Sequence, residues 1–212
     1  MRKLFLVWST LLCILLISSN AFAIPFTEIP DAGQTLLDAQ DVGGGVDVIT
    51  GTVYGDADLF SFNWGGGAFD VNTAGSTGDT QLFLFDNAGL GVWGNDDWIS
   101  YSGASYIEDI NLAAGKYYIG VSAYNYDPYS TSGFMFDDYP YRDLFGPSNN
   151  DPLAGWSGNW GSSTYFINFT DGSITGDSTG TGSAPVPEPA TMVLFGLGLL
   201  GLAGVSRKKH QK

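Results

Sequence analysis

Cysteine is almost missing from this sequence: Cys13 is the only one in 212 residues. Histidine is as scarce, with His210 alone near the C-terminus. Neither lies in the long central stretch from Ile24 to about Ser183. That stretch therefore has no disulfide, no Cys-His dyad, no Ser-His-Asp triad and none of the usual zinc ligand sets. Packing or oxygen-ligated cations must hold it together instead. Positive charge is also short. Of the 8 Lys and Arg, six (Arg2, Lys3, Arg207, Lys208, Lys209, Lys212) sit in the end segments, and only Lys116 and Arg142 remain between them. Of the 22 Asp and Glu, only Glu188 lies in the tail. The central stretch thus sets 21 acids against 2 bases, a formal charge of −19. Nucleic acids and anionic lipid surfaces are poor partners for it; divalent cations and neutral or cationic glycans are better ones.

Long apolar runs occur only at the two ends. Met1-Arg2-Lys3 precedes the run Leu4–Ile17, and Ala21-Phe22-Ala23 supplies a small–x–small cleavage pattern. Residues 1–23 read as a secretory signal peptide, cut between Ala23 and Ile24 by signal peptidase. At the other end, Val186-Pro187-Glu188-Pro189 leads into Ala190–Val205, which has no charge, and then Arg207-Lys208-Lys209. Sixteen residues make about 24 Å of helix at ~1.5 Å each, just short of the ~20 residues a stable span wants. Snorkelling at Arg207 extends the reach, giving a transmembrane segment over 190–206. The basic cluster holds that end in the cytoplasm and the upstream domain outside.

The order of parts over residues 186–209 resembles the PEP-CTERM sorting signal. The resemblance implies that Pro187, Glu188 and Pro189 are recognised by an exosortase, a membrane transpeptidase-like enzyme of exopolysaccharide-producing bacteria. The chain would then be anchored transiently in the inner membrane before release to the outer envelope, cell surface or extracellular matrix.

Residues 24–170 read as one domain, followed by a Gly/Ser/Thr linker over 171–185. Short alternating segments separated by Gly, Asn and Asp predict strands over Val46–Tyr54, Asp58–Trp64, Ala68–Asn72, Gln81–Asp86, Ser105–Leu112, Lys116–Ala123 and Thr164–Thr170. Asp58–Trp64 alternates most clearly, with Phe60, Phe62 and Trp64 on one face. Gln81–Asp86 is apolar on both faces, as a central strand would be. The lead-in to Gly45 reads as polar, and residues 124–163 as a loop insertion long enough to be functional or to hide short strands. The expected fold is all-β, an antiparallel sandwich.

The stretch Asp56–Phe62, then Thr80–Phe85, Asp86-Asn87-Ala88-Gly89, Asn95-Asp96-Asp97 and Ala114–Val121 resembles, in that order, the bacterial pre-peptidase C-terminal (PPC) domain. The resemblance implies a β-sandwich of jelly-roll type, a non-catalytic accessory role, and in some members calcium binding.

Three kinds of site follow from the residues. Asp56, Asp58, Asp86, Asn95, Asp96 and Asp97 are hard oxygen donors in neighbouring turns, suited to Ca²⁺; the bland reading is turn chemistry and solvated acids. Ca²⁺ is the only cofactor implied. Aromatics crowd the loops: Trp93, Trp98, Tyr101, Tyr124, Tyr126, Tyr129, Tyr139, Tyr141, Trp156 and Trp160. Of these Trp93, Trp98, Tyr126, Trp156 and Trp160 are the expected glycan contacts, against core packing as the alternative. Paired carboxylates could cleave glycosidic bonds, but Asp96/Asp97, Glu108/Asp109 and Asp137/Asp138 are adjacent, and neighbours on a strand point apart. No enzyme is expected. The reading is an exported structural or adhesive protein of the cell surface or exopolysaccharide matrix, with a calcium-stabilised glycan-binding module as alternative and a glycan-cleaving enzyme behind it.

Overall fold

The computed structural model describes residues 24–98, 103–137, 143–159, 161–170 and 174–175. The signal peptide, the sorting motif and its span lie outside them. Every regular element among the described residues is a strand. Two five-stranded sheets pack face to face. The first has the order β1 (Ile24–Thr27), β3 (Val46–Tyr54), β13 (Ser162–Phe169), β5 (Gly67–Asn72), β8 (Tyr106–Leu112). The second runs β2 (Gln40–Asp41), β4 (Ala57–Trp64), β9 (Gly115–Ala123), β6 (Thr80–Asp86), β7 (Gly91–Asn95).

Alternation along each strand builds the core between them. Phe60, Phe62 and Trp64 on β4 face Phe69 and Val71 on β5 and Tyr165, Ile167 and Phe169 on β13. The Phe62 and Phe69 rings stack at 5.8 Å, and Trp64 meets Phe69 edge-on at 4.9 Å. Each fully buried Phe contributes about 1.5–3 kcal/mol.

Two expectations at the N-terminal side change. The lead-in before Gly45 is not merely polar. It forms β1 and β2, and both pair in parallel, β1 with β3 and β2 with β4. A strap running from β1 to β2 thus lines one edge of each sheet, so the sandwich is antiparallel only in its eight longer strands. Propensity could not show this, since two-residue and four-residue strands carry no usable period.

The insertion hides short strands, one of the two readings open for it. Residues 124–163 are not a plain loop. They contain β10 (Tyr126–Ser130), β11 (Gly133–Phe134) and β12 (Gly155–Gly158), a third sheet of order β11-β10-β12. Met135, Phe136, Phe145 and Trp156 from this region cover Leu59, Phe83, Phe85 and Tyr118 on the outer face of the second sheet. That explains why β6 is apolar on both faces. Gly120 makes room for the Trp156 ring, because a Cβ there would lie 2.8 Å from its Cη2.

The domain boundary moves too. Residue 170 is not the end, because Ile174 is 1% exposed and joins the central core. Its carbonyl accepts from Gly45 N at 2.7 Å, and Thr175 N donates to the Asn63 carbonyl at 2.8 Å. One isoleucine in a Gly/Ser/Thr stretch was the signal. Ile174→Ala is expected to cost about 2 kcal/mol, the low end for an isoleucine because a site near the end of the fold can collapse. A denaturant midpoint shift with unchanged slope is the check.

Candidate metal centre

The strap brings two acids to a third that the core has buried. Asp58 is in phase with Phe60 and Phe62 on β4, so its carboxylate points between the sheets. It is 0% exposed, and neither oxygen has a hydrogen-bond partner. An unpartnered buried carboxylate is costly. Glu28 and Asp31 stand beside it, and one oxygen from each of the three lies within 4.8 Å of the others. Two oxygens on opposite sides of a Ca²⁺ at ~2.4 Å are separated by about that much.

Glu28 is fixed by three donors. Its Oε1 accepts from Ala32 N at 2.6 Å, and its Oε2 accepts from Thr52 N at 3.0 Å and from the Tyr165 hydroxyl at 3.1 Å. The Tyr165 hydroxyl stands near Asp58 as well, but its single proton goes to Glu28. Gly51 makes the arrangement possible. It pairs with Tyr165 across β3 and β13, and a Cβ there would lie 2.1 Å from both Glu28 Oε2 and the Tyr165 hydroxyl. Glu28 and Asp31 line a shallow groove with Thr27, Thr50, Thr52 and Thr164, and Asp58 lies buried behind them.

The electrostatics are one-sided. Burial pushes the Asp58 carboxyl up to about 9, the Glu28 charge adds to this, and the Tyr165 hydroxyl acts the other way. Burial, then Asp56 and Glu28, also raise Asp31. Burial and the charges of Asp58 and Glu28 drive the Tyr165 hydroxyl far above its usual range. Lys116 is the one Lys or Arg among the described residues. It pairs with Asn63 on β4, five residues from Asp58, about 17 Å at ~3.3 Å per residue. No Lys or Arg among the described residues neutralises the acids. An all-oxygen donor set, a bare buried carboxylate and a glycine-made recess fit a hard divalent cation such as Ca²⁺.

The six expected ligands do not converge. Asn95, Leu82, Val121 and Asp58 form one row across β7, β6, β9 and β4. Three strand spacings of ~4.8 Å put Asn95 about 14 Å from Asp58. Asn95 instead ties loops together, donating to the Asp143 carbonyl at 3.2 Å and accepting from Tyr106 N at 2.7 Å. Asp86 lies four residues along β6 from that row, where its Oδ1 accepts from Ala88 N and Leu90 N in a turn. Asp97 acts on Asp79, whose carboxyl is raised by burial and then by the Asp97 charge; Asp96 is buried beside it. Asp56 accepts from Tyr54 N at 2.7 Å, and its charge reaches the Asp58 group. Only Asp58 of the six belongs to the cluster. Glu28, Asp31, Gly51 and Tyr165 were not singled out in the sequence. The available signal was a carboxylate in phase with core aromatics.

The expected glycan contacts disperse as well. Trp156 is 7% exposed, meets Phe83 edge-on at 5.6 Å, and donates Nε1–H to the Gln34 carbonyl at 2.9 Å. It is a packing residue, because Gly120 opens a slot for it. Tyr126 is half-buried and donates to Gln34 Oε1 at 3.4 Å, and Trp93 packs against the central core. Trp98 is exposed, stacked on Tyr106 at 5.0 Å and bonded to Glu108 at 3.3 Å. Trp160 lies outside the described residues.

The PEP-CTERM protein-sorting motif matches residues 185–208. No curated protein matches the chain by sequence. The motif marks an exported protein that is processed by an exosortase, held at the membrane and then delivered to the surface.

Proposed function

We propose that the chain is a non-catalytic structural and adhesive protein of the cell surface or exopolysaccharide matrix, whose strap is pinned by Ca²⁺. The observation that carries this is Asp58. Its carboxylate is the most perturbed acid described, yet it is sealed from solvent and cannot meet a substrate. Its chemistry is that of an ion ligand. The strand orders β3-β13-β5-β8 and β4-β9-β6-β7 support a jelly-roll scaffold of the PPC kind. Removal of the signal peptide, and of Pro187, Glu188 and Pro189 with the span behind them, would take away six of the eight Lys and Arg and leave a strongly acidic surface domain.

The test is mass spectrometry of the mature C-terminus in cells with and without the exosortase. Loss of the segment after the motif only where the enzyme is present is expected. A tail reaching Lys212 in both would defeat the reading. Incubation with matrix polysaccharide is expected to release no reducing ends; their release would make the protein an enzyme.

A further inference from the structure

The third sheet leaves one face outward. On β10, Pro128 is buried, and it pairs with the buried Trp156 of β12, so that side lies on the second sheet. Tyr129 points away, while Asp127 is half-buried and turns one oxygen inward to Gln81. Tyr129 pairs with Phe134 on one side and with Gly155 on the other. Phe134 is 55% exposed and Tyr129 37%. A Cβ at Gly155 would lie 2.8 Å from the Tyr129 hydroxyl oxygen and 2.9 Å from its Cζ. The ring is therefore laid across a bare glycine, with a face left to solvent. Two neighbouring aromatic residues are thus exposed on one rigid face.

Polar groups stand beside them. Phe134 forms one wall of a groove of about 420 Å³, within the ordinary range for ligand sites. Asn125, Asp127, Asp137 and Ser148 supply its polar lining, and Phe136 the apolar part. Asp127 is held in place from inside the fold. The fully buried Gln81 donates to its Oδ1 at 3.0 Å and accepts from Tyr126 N at 3.2 Å. The groove thus joins aromatic walls to preset acceptors.

We infer that this face binds a polysaccharide of neutral or amino sugars. A sugar ring has an apolar C–H face for Tyr129 and Phe134, and hydroxyl or ammonium donors for Asp127 and Asp137. A wholly apolar ligand would strip water from two carboxylates without replacing it. A uronic or sulfated polymer would meet those carboxylates with no Lys or Arg among the described residues of the groove. None of Trp93, Trp98, Tyr126 or Trp156 lines it. The inference deepens the adhesive reading and rests on it for the partner, but not on the metal centre.

The test is retention of the full chain, in detergent, on cellulose, chitosan and alginate beads. About 1 M salt removes general charge attraction, since the screening length is then ~3 Å. Retention on cellulose or chitosan but not alginate is expected. Phe134→Ala should weaken it at least tenfold with an unchanged melting temperature, because the ring is already half in water. Gly155→Val, which keeps both rings but lifts Tyr129, should do the same, while Trp98→Ala should bind as wild type. No retention on any bead, retention on alginate alone, or wild-type binding by Phe134→Ala would overturn the inference. An unprocessed tail in cells would undo the sorting claim and leave this binding untouched.

Discussion

In EDTA, the melting temperature of the domain is expected to fall as pH rises from about 5 to 9, and Ca²⁺ to restore it. The sign follows from Asp58. Its folded carboxyl sits near 9 against an ordinary 3.8. Between those values the native chain holds a proton that the unfolded chain has released. Stability therefore drops as pH rises through that window. Glu28, Asp31, Asp56 and Tyr165 are the titratable groups that face Asp58, and the three acids make its ionisation harder. A bound divalent ion reverses the balance, because it pays for the ionised form that burial opposes. At a free concentration 100-fold above its dissociation constant it adds about 2.7 kcal/mol. For a domain of this size that is about 5–10 °C. Asp58→Asn should lose both the calcium increment and the share of the EDTA pH slope that this group contributes. Differential scanning calorimetry of the two proteins across pH, with and without Ca²⁺, reads all of this. A wild-type protein indifferent to Ca²⁺, or a variant that still gains from it, would end the proposal.

The second large effect belongs to Gly51. Alanine there would add one methyl group, yet that Cβ would fall 2.1 Å from Glu28 Oε2 and from the Tyr165 hydroxyl. Tyr165 is fully buried and cannot swing away. Either β3 and β13 part locally or the Glu28–Tyr165 hydrogen bond breaks. Overpacking alone costs ~1–3 kcal/mol, and the lost bond to a charged group another 1.5–3. A combined loss of about 3 kcal/mol or more is expected, together with loss of the calcium response. Thr52→Ala is the comparison: it retains the backbone N–H that Glu28 accepts from, so it should keep that response. A Gly51→Ala protein as stable and as calcium-responsive as wild type would refute the geometry.

The long strands were legible because their alternation is driven by burial. Val46–Tyr54 appears as read, and the Phe60, Phe62 and Trp64 face is the core face. Short strands in the insertion were foreseen, but their positions and pairing were not legible. Its strands are short, and Pro128, Gly133 and Gly155 interrupt any period. The doubly apolar β6 held the clue that something covers the second sheet. The acids separate along the same line. Asp86 and Asn95 look like ligands in sequence because turns and ion sites use the same residue types. Only register across four strands shows them to be far from Asp58. Glu28 and Asp31 were hidden because the strap meets β4 through tertiary contact, 30 and 27 positions away along the chain.

β13 has a consequence for how the chain crosses a membrane. It is the last long strand, yet it lies inside the first sheet, paired with β3 over seven positions and with β5 on its other side. Until it arrives, β1 and β3 have no connection to β5 and β8, and half the sandwich has no floor. Contacts this distant in sequence make folding slow. A chain threaded N-terminus first therefore stays pliant until almost all of it has passed. The keystone is delivered last, on the far side.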